Sequence, residues 1–91
     1  MIRGFHDSDT ESVFEGKRVA RFSAVETVAI RRLFQLAAAT SLQDLKGPGL
    51  QLEKLKGDRK SQHSIRINDK WRVCFVWSDG NAQRVEITDY H

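Results

Sequence analysis

The sequence predicts a single α+β domain, in which helices pack on one face of a four- or five-stranded, mostly antiparallel sheet. The best amphipathic helix pattern lies in the first half of the chain, between residues 23 and 40. The second half contains four short apolar runs separated by turn signals, which is the pattern of an antiparallel meander. A chain of 91 residues buries one hydrophobic core, so residues 1–91 are predicted to form one domain.

The first predicted elements are a short strand and a short helix. Residues 2–5 alternate apolar and polar side chains, as a half-buried strand does. Ser8 and Glu11 have the spacing of a capping box, and Gly16 suits the position just past a helix end. These signals predict a short helix over residues 8–15.

The second helix is predicted to run from Ser23 to the region of Thr40, after a basic connector at residues 17–21. Ser23 and Glu26 again fit a capping box. A wide apolar stripe at helical spacing marks the side that faces the core. It comprises Val25, Ala29, Leu33 and Leu36, flanked by Val28, Ile30, Phe34 and Ala37.

A cluster of Gly and Pro at residues 46–49 separates the helical half from the predicted sheet. The four predicted strands are residues 50–55, 64–67, 71–77 and 84–90. Side chains alternate between the two faces of a strand. If the large apolar side chains pack on the helices, the opposite face of the sheet is polar, basic and partly aromatic. That face includes Arg66, Arg72, Thr88 and Tyr90.

Composition narrows the class of protein. No apolar run is long enough to span a bilayer, and the first residues lack the apolar core of a signal peptide, so we expect a cytoplasmic protein. The single cysteine, Cys74, excludes an internal disulfide and is expected to be a buried, inert thiol. His63 is expected to be a solvated residue at a strand start. His63, Cys74 and His91 match no common zinc-ligand spacing, so neither a metal site nor a cofactor is predicted.

Residues 54–72, here called the basic stretch, carry most of the positive charge. Seven cationic and two anionic side chains give this stretch a net charge of +5, whereas the whole chain carries +3, which leaves −2 for the other 72 residues. A local cationic surface indicates a polyanionic partner, although a solvated hairpin can have the same composition. The cations are Lys54, Lys56, Arg59, Lys60, Arg66, Lys70 and Arg72.

Three motifs occur in a characteristic order: Leu55-Lys-Gly-Asp-Arg59, Trp71-Arg-Val-Cys-Phe75 and Asp89-Tyr-His91. Together they resemble the HigB branch of the RelE/ParE superfamily of bacterial toxins, over essentially the whole chain. The resemblance implies a RelE-like fold of two N-terminal helices on a twisted sheet. It also implies metal-independent cleavage of messenger RNA in the ribosomal A site. The implied partners are the ribosome and a helix-turn-helix antitoxin resembling HigA, with operator DNA bound only through the antitoxin complex.

Metal-independent RNA cleavage uses the neighbouring 2′-hydroxyl as nucleophile, so it requires a base, fixed cations and an acid. Arg72 suits a clamp on the phosphate oxygens, and Lys56 is a second cation. Tyr90 offers a stacking plane for a base, and His91 titrates near neutrality. By resemblance, these four residues fall on the family's catalytic positions. The remaining cations are expected to bind the RNA backbone: Lys54, Arg59, Lys60, Arg66 and Lys70.

Glu53 departs from the family's pattern. Relatives often carry a histidine three residues before the motif lysine, where this chain has Glu53. A glutamate can act as a general base, but its negative charge repels phosphate. We therefore expect weaker or differently pH-dependent cleavage, and higher activity after Glu53→His.

Several alternatives remain open from the sequence. Arg72 could pair with Glu86 or Asp89 across the sheet, Lys56 could be an ordinary surface lysine, and the last two residues could be frayed. The protein could instead be a toxin of the ParE type that acts on DNA gyrase, or a non-catalytic module that binds RNA or the ribosome. The helical face and the connector at residues 17–21 are the expected antitoxin contacts.

Overall fold

The computed structural model describes residues 1–89, and Tyr90 and His91 lie outside the described residues. Two α-helices precede a four-stranded antiparallel sheet, which confirms the predicted α+β class. The helices are α1 (Ser8–Phe14) and α2 (Glu26–Ala38). The strands are β1 (Glu53–Lys54), β2 (His63–Arg66), β3 (Arg72–Ser78) and β4 (Asn81–Thr88). None of the helices within residues 1–89 has the length and apolar character needed to cross a membrane.

Helix α1 begins one residue before the position that the predicted capping box requires. Asp7 is the N-cap, since its backbone is extended and its carboxylate accepts a hydrogen bond of 3.0 Å from the amide of Thr10. The prediction of a capping box formed by Ser8 and Glu11 is therefore wrong. The buried hydroxyl of Thr10 donates to Asp7 at 2.8 Å and accepts from the amide of Ile87 at 3.1 Å. This side chain thus connects α1 to β4.

Helix α2 follows a 3-10 helix, Ala20–Val25, and begins at Glu26 without a side-chain cap. The predicted box of Ser23 and Glu26 is wrong, because Ser23 already lies inside the 3-10 helix and an N-cap must be non-helical. The central residues of the predicted apolar stripe are confirmed, but Phe34, which was predicted to flank the stripe, is 55% exposed. The buried members of the stripe are Val25, Ala29, Leu33 and Leu36.

The strand order is β1-β2-β3-β4, with every neighbouring pair antiparallel. The strand predicted over residues 50–55 is only two residues long in the structure, since the left-handed backbone of Gln51 (φ 44°) interrupts the extended chain. Residues 2–5 form two parallel bridges to the outer edge of β4, at Ala82 and Val85. This fifth, short segment covers an otherwise open sheet edge.

A bulge in β4 explains how its apolar side chains reach the core. Cys74 pairs with Glu86 but Val76 pairs with Gln83, so two residues of β4 oppose one residue of β3. Arg84 lies in this bulge with a φ of 53°. Because the bulge shifts the alternation by one residue, Ala82 and Val85 are both buried.

The main core lies between the helices and one face of the sheet. Leu33 and Leu36 of α2 belong to the same buried cluster as the apolar residues of the strands. The strand members of the cluster are Ile65, Val73, Phe75, Ala82, Val85 and Ile87. Ser64 and Cys74 have opposite parity and are also buried. The second face of the sheet, here called the motif face, is therefore partly covered as well.

Candidate functional site

The pairing of the strands places the predicted site residues in two rows on the motif face. Glu53, Ser64, Cys74 and Glu86 are successive partners across the four strands. Arg66, Arg72 and Thr88 form the neighbouring row. Residues directly opposite one another in a sheet share a face, so both rows point away from α2.

Arg72 projects from β3 and forms an ion pair with Glu53 of β1. Its Nη1 lies 3.2 Å from Oε1 of Glu53 and 3.5 Å from the carbonyl oxygen of Gln51. The Arg72 side chain is 19% exposed and that of Glu53 53% exposed. The expected alternatives, Glu86 and Asp89, are not the partners: Nη1 of Arg59 lies 3.1 Å from Glu86, and Lys70 lies 3.7 Å from Asp89.

Arg66 lies directly opposite Arg72, and like charges in that position repel each other. Each guanidinium is drawn toward a different carboxylate. Arg66 forms an ion pair with Asp69 in the turn that follows β2, whereas Arg72 points toward Glu53 in β1. The two carboxylates offset the repulsion and fix opposite directions for the two side chains.

The Leu55-Lys-Gly-Asp-Arg59 motif forms the turn between β1 and β2. Leu55 is buried, and its amide donates to the carbonyl of Gln62 at 2.9 Å, which extends the pairing of the two strands. Lys56 is exposed at the start of the 3-10 helix Gly57–Arg59. Gly57 has a φ of 64°, a conformation that glycine adopts at little cost. The motif thus combines a buried anchor, an exposed lysine and a tight turn.

Arg59 folds this turn over the motif face. Its Nη1 donates to Gln62 at 3.0 Å and to Glu86 at 3.1 Å. Glu86 lies on β4, at the far side of the sheet from the turn. The Arg59 side chain therefore spans the face above Cys74, which is the strand partner of Glu86. Burial beneath this cover raises the pKa of the Cys74 thiol to about 12, so the thiol is protonated and inert near neutrality.

Sequence reasoning did not identify the roles of Glu86 and His6. Oε2 of Glu86 lies 3.7 Å from Nδ1 of His6, so Glu86 lies between the motif turn and the N-terminal segment. Strand alternation predicts the face on which Glu86 lies. Strand alternation does not specify which cation reaches that carboxylate, because Arg59 comes from the turn between β1 and β2, whereas Glu86 lies on β4.

The basic stretch is divided between paired and unpaired cations. Within residues 1–89, ion pairs involve Arg59, Arg66, Lys70 and Arg72 but none of Lys54, Lys56 and Lys60. Lys54 is the partner of His63, which in turn pairs with the core residue Phe75. Lys54 therefore belongs to the face opposite Arg72. Lys56 and Lys60 are exposed at the two ends of the motif turn.

His63 differs from the expected solvated histidine. Its ring stacks on Phe75 at a centroid distance of 6.1 Å, and its buried Nδ1 has no hydrogen-bond partner within the described part of the chain. Burial, together with the positive charge of Lys54, lowers the pKa of His63 below its ordinary value of 6.5. His63 is therefore a neutral structural residue near pH 7.

The structure brings Arg72, Glu53 and Arg66 together on the motif face, with the Lys56 turn folded over the neighbouring row. Two of the four predicted catalytic residues, Tyr90 and His91, lie outside the described residues. The last described strand ends at Thr88, the partner of Arg72. The described residues enclose no pocket, so the motif face is an open surface.

Comparison with known proteins identifies the family. The family described as RelE-like toxins of the type II toxin-antitoxin system HigB matches residues 3–91. The chain is 37% identical over 85 residues to Toxin HigB-1 of Vibrio cholerae serotype O1, covering 90% of each chain. It is 30% identical to Endoribonuclease HigB of Proteus vulgaris, covering 100% of each chain. The chain therefore belongs to the HigB-like family, the RelE-like toxins of type II toxin-antitoxin systems.

Proposed function

We propose that this toxin is an endoribonuclease that cleaves messenger RNA in the ribosomal A site and thereby inhibits translation. The observation that carries the proposal is the position of Arg72, a permanently charged side chain held in one direction on an open sheet face. A guanidinium of this kind presents paired donors to phosphate oxygens. The name of the Proteus vulgaris relative supports the same activity.

The proposed reaction begins with attack of a 2′-hydroxyl on the adjacent phosphate. Arg72 stabilises the negative charge that develops on the phosphoryl oxygens. Lys56, exposed on the motif turn, adds a second positive charge or exchanges a proton. Tyr90 supplies a stacking plane and a hydroxyl, and His91 exchanges a proton: one of Lys56, Tyr90 and His91 accepts the proton of the 2′-hydroxyl, and another protonates the departing 5′-oxygen. This division of roles uses no metal ion and no cofactor.

An open surface is well suited to a substrate that another particle presents. A shallow face cannot by itself immobilise a flexible single strand in the geometry for in-line attack. A message held in the ribosomal A site is already ordered, so the toxin has only to supply charge, stacking and proton transfer. On this account Lys60, with the cations of the basic stretch other than Lys54, contacts backbone phosphates of the message or of ribosomal RNA.

The proposed protein partner is a helix-turn-helix antitoxin resembling HigA, and the complex, rather than the toxin alone, binds operator DNA. The proposed contact is the helical side, where Phe34 is 55% exposed and its ring lies 5.2 Å from that of Phe14. Phe14 in turn lies 5.7 Å from Phe5. This aromatic surface lies on the opposite side of the sheet from Arg72, and exposed apolar patches commonly mark protein contacts. Both partners meet in the cytoplasm.

The proposal is tested by mapping the 5′ ends of messenger RNA after brief expression of the toxin. The native toxin should produce new 5′ ends within translated regions and arrest growth. Arg72→Ala, or removal of Tyr90 and His91, should abolish both effects, while the matched change Arg31→Ala on the exposed side of α2 should not. Uncut messages with DNA damage would indicate gyrase as the target. Uncut messages with salt-dependent ribosome binding would indicate a non-catalytic module.

A further inference from the structure

The ion pair between Glu53 and Arg72 has a geometry that matters for phosphate binding. Strands β1 and β3 lie about 10 Å apart, because β2 lies between them. The side chains of Arg72 and Glu53 together span this distance. The polar contacts of Arg72 within residues 1–89, with Glu53 Oε1 and with the carbonyl of Gln51, involve the same nitrogen, Nη1. The guanidinium is therefore directed toward β1 by one carboxylate and one carbonyl.

A carboxylate and a phosphate offer the guanidinium the same kind of acceptor. The Glu53 oxygen thus occupies one of the acceptor positions that a phosphate oxygen of RNA would take. Glu53 is about half exposed and lies on a two-residue edge strand, so few contacts hold it in place. The Arg59–Glu86 pair differs in this respect, because Glu86 is only 17% exposed and holds the motif turn.

We propose that Glu53 is a positioning residue, whose carboxylate orients Arg72 in the absence of RNA and competes with an RNA phosphate for it. This inference rests on the proposed function. When RNA binds, the phosphate either takes Nη1 from Glu53 or approaches the other N–H groups of Arg72 beside the Glu53 carboxylate, whose repulsion of the phosphate forces that carboxylate to turn away. The free energy of that rearrangement is subtracted from RNA affinity, in the ground state and in the transition state alike.

Glu53→Gln tests the competition with little change of shape. The amide keeps an acceptor for Arg72 but removes the negative charge. We expect RNA affinity to rise by about two- to fivefold, the range that corresponds to the loss of one partly exposed ion pair. The dependence of affinity on salt should also steepen, because RNA binding to the native protein frees the Glu53 carboxylate to take up a counterion, whereas RNA binding to Glu53→Gln does not.

The binding experiment uses purified full-length protein and a single-stranded RNA oligonucleotide with a 2′-deoxy substitution at the cleavage position, which removes the nucleophile. The proteins compared are native, Glu53→Gln, Arg72→Ala, the double variant and Asp58→Asn. Asp58 is an exposed carboxylate in the motif turn, so Asp58→Asn makes the same charge change near the same surface. Glu53→Gln should tighten binding, while Asp58→Asn should change it by less than about twofold.

The double variant shows whether Glu53 acts through Arg72. In the Arg72→Ala background, Glu53→Gln should lose its effect on affinity. An equal gain in that background, an equal gain from Asp58→Asn, or no gain at all would overturn the inference. If Glu53→Gln melts at a markedly lower temperature, Glu53→Asp replaces it. That variant withdraws the carboxylate by one methylene and should give a smaller gain in the same direction.

Cleavage kinetics on ribosomes programmed with one message provide the second measurement. Because the competition weakens ground-state and transition-state binding equally, Glu53→Gln should lower KM and leave kcat within about twofold. A purely structural role for Glu53 would instead reduce kcat or thermal stability. Full cleavage activity in Arg72→Ala would refute the proposed function, which is a different result from an unchanged KM in Glu53→Gln.

Discussion

At the level of single residues, the direction of each arginine depends on the carboxylate with which it forms an ion pair. Arg72 and Arg66 are direct neighbours of like charge, and their separate carboxylate partners, Glu53 and Asp69, direct them apart. Strand alternation predicts that Arg66 and Arg72 lie on the face away from the helices. It does not predict that Arg72 reaches past β2, because that contact depends on side-chain length and on the position of a two-residue edge strand.

His63 should make stability depend on pH. Its pKa is lowered in the folded protein, by burial and by Lys54, so the unfolded chain binds a proton more readily. The contribution of His63 to the free energy of unfolding should be fully present above pH 6.5, the pKa of the unfolded chain. This contribution should decrease as the pH falls from there toward the pKa of the folded protein. Glu53→Gln leaves this effect unchanged, since the carboxylate does not contact His63.

The measurement is the free energy of unfolding in denaturant at about pH 7.5 and about pH 5. His63→Phe preserves an aromatic ring on Phe75 and should show a smaller loss between these values than the native protein. Hydrogen bonds from the amides of Thr40 and Ser41 lower the pKa of Asp44, so its contribution to the free energy of unfolding is lost only at lower pH. An equal loss in His63→Phe would assign the pH dependence to other groups.

At the scale of elements, the motif turn positions its lysine through backbone conformation and an ion pair. Leu55 anchors the turn, Gly57 permits its left-handed backbone, and Arg59 holds it over the sheet through Glu86. The sequence motif therefore has a local physical basis, and the predicted turn is confirmed. The capping boxes were predicted wrongly, because Asp7 offered a better cap and because a 3-10 helix precedes α2.

Gly57→Ala should destabilise the protein by about 1 kcal/mol, because an L residue at φ 64° is strained even where no neighbour obstructs its Cβ. Gly4→Ala is the matched control, since its Cβ also has open space but its φ lies outside the left-handed region. The comparison is made by denaturant unfolding. Equal stability of the two variants would show that the turn does not require glycine.

At the scale of the whole molecule, the sheet separates two surfaces with different character. The helical side presents the aromatic residues Phe34 and Phe14, whereas the motif face presents Arg72 and the exposed Lys56 turn. In the proposed function, the antitoxin and the RNA substrate approach these two surfaces from different directions. The sequence predicts this division, since helix periodicity and strand alternation determine which side chains meet. The bulge at Arg84 and the parallel bridges of residues 2–5 required the three-dimensional structure.

In the proposed mechanism, the RNA's own 2′-hydroxyl attacks a phosphate held by Arg72. This step is tested most directly by incubating the toxin with ribosomes programmed with one message and analysing the ends of the fragments. The account predicts an upstream fragment ending in a 2′,3′-cyclic phosphate, a downstream fragment beginning with a 5′-hydroxyl, and neither fragment with Arg72→Ala. Fragments carrying a 5′-phosphate, or undiminished cleavage by Arg72→Ala, would contradict it.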